Sequence, residues 1–172
     1  MSLMDTILKR RSVRKYTDQD IDEDTLKQIV QAGLLAPTSR NLKPCEFYVV
    51  KDKEILKQLS GAKQMGGKMI AECNAAIVVF ADEDKADTWV EDCSIALSFM
   101  MLMAEELNIG NCFVQYQFRK DGSGNDAEEN VRNILKVSKP MRMTGILALG
   151  IQDGSLKGHE LSEADWTKVH QI

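Results

Sequence analysis

One stretch constrains the fold more than any other: WVEDCSIALSFMMLMAEEL, from Trp89 to Leu107. Its apolar residues recur at helical spacing. Ile95, Phe99, Leu102 and Met103 mark one face, and Ala96, Met100 and Met101 widen it well beyond a single stripe. A helix that is apolar nearly all round has no face to give to water. It must sit in the middle of a core, at a subunit interface, or both. In a chain of 172 residues one small sheet does not cover such a girth, so both burials are expected. The apolar run from Ile95 to Ala104 is broken by Ser98 and falls short of the roughly 20 residues a membrane span needs. No membrane association is expected.

The rest of the chain supplies short elements that fit around this helix. Asp5 to Arg10 predicts a helix with Ile7 and Leu8 inward, and Met1 to Leu3 reads as a possible expression remnant outside the fold argument. Asp22 or Asp24 is placed to cap a second helix, whose apolar positions are Leu26, Ile29, Val30 and Leu34 and which Pro37 ends. CEFYVV (Cys45 to Val50) is a short β-rich run. AAIVVFA (Ala75 to Ala81) is apolar on both faces and so predicts a central strand. Between them lie helical segments, Lys53 to Leu59 and Met65 to Glu72. NCFVQ (Asn111 to Gln115) predicts a strand, DGSGN (Asp121 to Asn125) a turn, Asp126 to Leu135 an amphipathic helix, and GILALGI (Gly145 to Ile151) a last buried strand. Strands alternating with helices over this length make one α/β or α+β domain, residues 1–172.

Several chemistries are unsupported. There is no GxxxxGK[ST], no GxGxxG after a strand, no HExxH and no GxSxG. Four cysteines without a CxxC and two histidines do not make a zinc framework, and no metal is expected. Scattered cysteines without a secretory signal read as reduced thiols in a cytoplasm. The net charge of -4 argues against nucleic acid as a partner, since such proteins carry a basic face.

Against that acidic background KRRSVRKY, from Lys9 to Tyr16, stands out. Arg10, Arg11 and Arg14 offer planar forks to phosphate oxygens, and Ser12 adds a hydroxyl. The same run also reads as a solvated charge cluster at a helix C-terminus, where cations suit the dipole. APTSRNLKP, from Ala36 to Pro44, places the small polar residues Thr38, Ser39 and Asn41 in a loop that a ligand could face, or in a routine turn. Lys139, Arg142 and Lys157 read as solvated, with one of them free to complete an anion site.

Taken in order, RRSVRKY, AGLLAPTSRNLKPCEFYVV, AAIVVFAD, DCSIALSFMMLMAEELNIGNCFV and ILALGI resemble the FMN-dependent nitroreductase family. The resemblance runs from about Asp5 to Ile151. It implies an α+β fold of three layers, α/β/α, assembled as an intertwined homodimer with FMN at the subunit interface. By that resemblance Arg10, Arg11, Ser12 and Arg14 hold the FMN phosphate and ribityl chain. Pro37, Thr38, Ser39 and Asn41 approach the same flavin from the other subunit. Val114, Gln115, Tyr116 and Gln117 lie against the ring, and Lys157 is the lysine nearest to where relatives place a basic residue after the last strand. Relatives often carry an aromatic residue where this chain has Cys45. The implied activity is that of an NAD(P)H-dependent oxidoreductase. NADH or NADPH would reduce the flavin, and a nitroaromatic, quinone or similar small conjugated acceptor would reoxidise it in ping-pong fashion. No catalytic side chain is implied, because flavin N5 carries the chemistry. A non-catalytic FMN-binding or redox-sensing module is the alternative.

Overall fold

Ala76, Val78 and Phe80 of the strand β2 (Ala75–Asp82) bury on one side of the sheet, and Ala75, Ile77, Val79 and Ala81 bury on the other. A strand with two apolar faces needs cover on both, and the chain provides it. The computed structural model describes residues 2–172. Four antiparallel strands run in the order β1-β2-β4-β3, with β1 at Cys45–Val50, β3 at Gly110–Gln115 and β4 at Met141–Gly150. On one face pack α3 (Lys53–Gly61), α4 (Met69–Glu72) and α6 (Ala127–Leu135), through Leu56, Leu59, Ile70 and Val131. On the other lie α2 (Glu23–Leu34) and α5 (Trp89–Glu106), through Leu26, Ile29, Leu97 and Met100. The result is the three-layer α/β/α arrangement of an α+β domain.

Most helix starts are marked by a side-chain cap, those of α4 and α5 excepted. Asp22, Asp52 and Asp126 accept the N–H of the third helical residue of α2, α3 and α6, each such cap contributing about 1 kcal/mol. The first helix, α1 (Leu3–Lys9), begins earlier than its sequence suggests. Ser2 caps it in a reciprocal box with Asp5, so residues 2 and 3 belong to the fold. Its inward residue is Thr6, while Ile7 is 42% exposed. Thr6 turns inward because its hydroxyl donates to Glu106 Oε2 at 2.6 Å, docking α1 on the end of α5.

Three further differences have local causes. The helix expected from Met65 shrinks to α4, because Gly66 takes the left-handed conformation (φ 74°) that a helix cannot contain. The last strand begins at Met141 rather than Gly145, its start hidden by the charged Arg142. That arginine is not solvated. It donates to Glu128 at 3.1 and 3.2 Å and to Glu83 at 2.8 Å, and stacks 4.7 Å from the Trp89 ring.

The α5 helix lies against the sheet, but by a different face from the one its strongest residues mark. Cys93, Ala96, Leu97, Met100 and Ala104 press inward. Phe99 is 43% exposed, and Ile95, Leu102 and Met103 are half-buried on the outer side. Phe99, Leu102 and Met103 line, with Leu3 and Ala32, a groove of about 450 Å³ that is almost wholly apolar.

Gly150 closes the sheet against the N-terminal segment. A Cβ there would stand 2.4 Å from Tyr16 Cδ1 and 2.6 Å from Asn74 Oδ1. Neither group can move cheaply. The Tyr16 hydroxyl donates to Val13 O at 2.7 Å, and Asn74 Oδ1 accepts the Ile151 N–H at 2.9 Å. Gly150→Ala is therefore expected to cost about 1–3 kcal/mol in urea unfolding, the range for overpacking a filled site. An unchanged midpoint would show that this contact does not constrain Tyr16.

Candidate functional site

The basic segment is held as an extra edge on the sheet. Arg10 caps α1, its N–H donating to Thr6 O at 3.0 Å. Ser12 then bridges Asn111 of β3 in parallel, and Val13 N donates to Asn111 O at 2.9 Å. Tyr16 bridges Gln152, and Asp153 N donates to Lys15 O at 3.1 Å. Residues 12–17 thus cover the open edge of β3 and pin the chain that leaves β4.

This backbone clamp collects positive charge at one place. Arg10, Arg14, Lys63 and the Ser12 hydroxyl all act on the Cys112 thiol. Burial still dominates and pushes the Cys112 thiol up, so this sulfur stays protonated at neutral pH. Among the described residues no carboxylate forms an ion pair with Arg10 or Arg14. Arg14 donates only to Ser12 O, at 3.3 Å. Arg11 lines a neighbouring cleft of about 280 Å³ with Lys9, Gly110, Gln152 and Ser155. Crowded guanidinium groups without anionic partners repel one another, and a bound anion with several acceptor oxygens relieves that repulsion.

At the end of β3 two more cations converge. Lys63 Nζ donates to Gln115 O at 2.7 Å and lies 5.1 Å from the Tyr116 ring centre. Arg119 Nη2 donates to Gln115 Oε1 at 2.9 Å. Partial burial, with Arg119 nearby, lowers the Lys63 ammonium below the usual lysine range. Sequence reasoning missed both residues. Lys63 lies 52 positions from its partner in a plain polar stretch, and no motif marks either one.

Of the four residues expected against a ring, Val114 and Tyr116 turn their side chains into the core. The Tyr116 hydroxyl is committed to Leu59 O at 2.6 Å. Gln115 is half-buried and Gln117 is buried, with its N–H donating to Thr144 O at 3.1 Å. Lys157 is not brought to the cluster. Its side chain is 84% exposed and pairs with Glu160 at 2.7 Å.

The loop Pro37–Asn41 lies elsewhere. Ser39 N donates to the buried carboxylate of Asp92 at 2.9 Å, and Thr38 Oγ1 accepts Lys43 N at 3.0 Å. Arg40, Asn41 and Lys43 all have positive φ, between 48° and 55°, a conformation that costs non-glycine residues about 1 kcal/mol or more. Pro37 and Asn41 are exposed. The loop hangs from the first turn of α5. The basic segment is docked on its last turn through Lys9–Glu105 and Thr6–Glu106. At about 1.5 Å per residue the two are roughly 20 Å apart along the helix.

Asp92→Ala leaves the Ser39 N–H without its buried acceptor, a loss of about 1–3 kcal/mol. Hydrogen exchange at residues 38–43 should accelerate while the centre of α5 keeps its protection. Equal acceleration along α5 would mean that Asp92 supports the helix and not the loop.

Comparison with known proteins places this geometry. The model of the nitroreductase family matches residues 7–66 and 62–151. A provisionally named NADH dehydrogenase/NAD(P)H nitroreductase of Archaeoglobus fulgidus is 34% identical over 84% of this chain and 82% of its own length. A protein of the same provisional name from Methanothermobacter thermautotrophicus is 33% identical over 64% of this chain and 59% of its own. Among solved structures, an FMN-dependent nitroreductase from Clostridium difficile R20291 superposes with a TM-score of 0.95 at 38% identity, covering 98% of both chains.

Proposed function

The chain belongs to the nitroreductase family, and we propose on that premise that it is an FMN-dependent NAD(P)H oxidoreductase acting as a homodimer. The observation that carries this reading is the cluster of Arg10, Ser12 and Arg14, held at the edge of β3, in which neither arginine has an ion-pair partner among the described residues. Its donor set fits a phosphate ester: two guanidinium forks, a hydroxyl and a nearby ammonium. When bound, FMN would supply hydride transfer from NADH or NADPH to a nitroaromatic, quinone or similar conjugated acceptor.

The protein's own groups would bind and orient. Arg10 and Arg14 would neutralise the phosphate, and Arg11 in the adjoining cleft would add a third charge. Lys63 and Arg119, fixed by Gln115, would place positive charge beside the polar edge of the ring. That charge would favour an electron-rich flavin and draw in anionic or electron-poor partners. The packed β3 strand behind them holds the register, since Val114 and Tyr116 cannot shift without opening the core.

The second half of the site would come from a second subunit. In one chain the Ser39 loop and the Arg10 segment flank opposite ends of α5. A twofold axis crossing the exposed face of α5 turns one helix end for end over the other. One protomer's loop then meets its partner's basic segment. Phe99, Leu102 and the groove beside them supply the apolar surface such a contact needs, and patches of this kind on a lone chain mark interaction sites. Trp166, 74% exposed near the C-terminus, has an aromatic face to give to the same assembly.

Purified protein should be yellow and should oxidise NADH or NADPH when menadione or a nitroaromatic is added. Bound flavin without turnover would favour the binding-module alternative. Arg10→Glu is expected to weaken FMN binding about 10- to 100-fold, from a lost charge-assisted hydrogen bond of ~1.5–3 kcal/mol. Reversal at the exposed Lys57 should leave the flavin in place. Equal FMN retention by both variants would remove the phosphate assignment.

A further inference from the structure

The turn after β3 holds an aromatic side chain that the fold does not use. Arg119 N donates to Tyr116 O at 2.9 Å and closes a β-turn, in which Phe118 is the third residue and takes φ 59°. A positive φ at that position suits glycine or asparagine, and in a bulky residue it costs about 1 kcal/mol or more. Packing does not offset the strain, because Phe118 is 78% exposed. The turn is firmly held all the same. Gln117 N donates to Thr144 O at 3.1 Å, and Ala127 N donates to Arg119 O at 2.9 Å. A ring that is strained, pinned and unpacked points to a contact outside its own fold.

The neighbouring residues narrow the ligand. Gln64 N donates to Lys120 O at 3.0 Å and joins the segment after α3 to this turn. One residue further Met65 is 79% exposed, and Lys68 and Lys120 are exposed as well. Among the described residues neither lysine forms an ion pair. Asp121 and Asp126, the acids that follow in sequence, commit their carboxylates to the N–H groups of Ser123, Asn125 and Glu129. An exposed ring with two ammonium groups near it matches a ligand that carries both a flat heterocycle and phosphates. A neutral quinone or nitroaromatic has no use for the cations, and inorganic phosphate has none for the ring.

We propose that Phe118, Met65, Lys68 and Lys120 form a platform for the adenosine diphosphate half of NADH or NADPH, with adenine on Phe118 and the phosphates against the lysines. The choice of a nicotinamide dinucleotide rests on the oxidoreductase reading. The two assignments are continuous along the chain. Lys63 and Arg119, fixed at Gln115 beside the ring, directly precede Gln64 and Lys120, which tie the platform together. A dinucleotide whose nicotinamide reaches the ring leaves its other half over these adjoining residues. The platform gives grip and takes no part in the hydride chemistry.

The test is calorimetric titration of ADP into the FMN-saturated full-length protein. The wild type should bind ADP, and Phe118→Gly should bind it about 5- to 100-fold more weakly, the loss of one stacked base. Phe118→Trp should keep the binding. Phe118→Gly should not lower the urea midpoint, since glycine relieves the left-handed strain. Lys68→Glu combined with Lys120→Glu should weaken both ADP and inorganic pyrophosphate, whereas Phe118→Gly should weaken ADP alone. In turnover, Phe118→Gly should reduce kcat/KM for NADH more than for reduced nicotinamide mononucleotide, which lacks the adenylate part. The proposal is overturned if the wild type does not bind ADP, if Phe118→Gly binds it equally well, if that variant is less stable or changes its assembly, or if both reductants lose equally. A protein that holds no FMN removes the oxidoreductase reading instead, and ADP titration of wild type against Phe118→Gly then still decides the platform.

Discussion

The seating of α5 on the sheet is the contact on which the rest depends. Cys93, Leu97, Met100 and Ala104 fill the space over Ile77, Val79, Leu147 and Leu149, each large side chain gaining about 1.5–3 kcal/mol from burial. That seating fixes a rigid rod of five turns, and both halves of the candidate site hang from it. Asp92 holds the Ser39 loop at one end, while Glu105 and Glu106 hold α1 at the other. The reach between these anchors is a property of the helix and not of any loop. Neither half can drift toward the other within one chain.

The electrostatics follow the same geometry. In a chain of net charge -4, Arg10 and Arg14 form no ion pair among the described residues, while Lys9, Arg40 and Arg142 pair with acids. The distinction is made by the fold. Lys9 faces the acidic end of α5, whereas the next residues turn along the edge of β3, where Cys112 and Ser12 are neutral. Backbone strain is concentrated likewise. Positive φ in Arg40, Asn41 and Lys43 marks a loop whose shape is imposed by its anchors and not by residue preference.

Much of the fold was legible in the residues. A short β-rich run located β1, and a continuous apolar run located β2, because a strand between two layers must be apolar on both faces. Asp22, one of two aspartates before an apolar helical run, marked the start of α2 because an orphan N–H needs an acceptor, and the structure adds Asp52 and Asp126 in the same role at α3 and α6. The start of β4 was not legible, since Arg142 satisfies its charge through Glu83 and Glu128, both remote in sequence. Which face of α5 turns inward was equally hidden. A helix apolar all round gives no preference, and the small residues Ala96 and Ala104 win because they let it approach the sheet. Of the site, the cationic run could be read directly. Lys63 and Arg119 could not, because their meeting at Gln115 is made by the turn after α3 and the end of β3.

The sequence by itself determined the class of element at nearly every position, the central place of β2 and the presence of a cationic segment near the N-terminus. These are consequences of local side-chain chemistry and periodicity, which act over a few residues. Only the tertiary structure decided which cations pair with acids and which apolar face of α5 is left exposed. Those outcomes rest on distances between segments far apart in the chain, and such distances are set by packing rather than by neighbours in sequence.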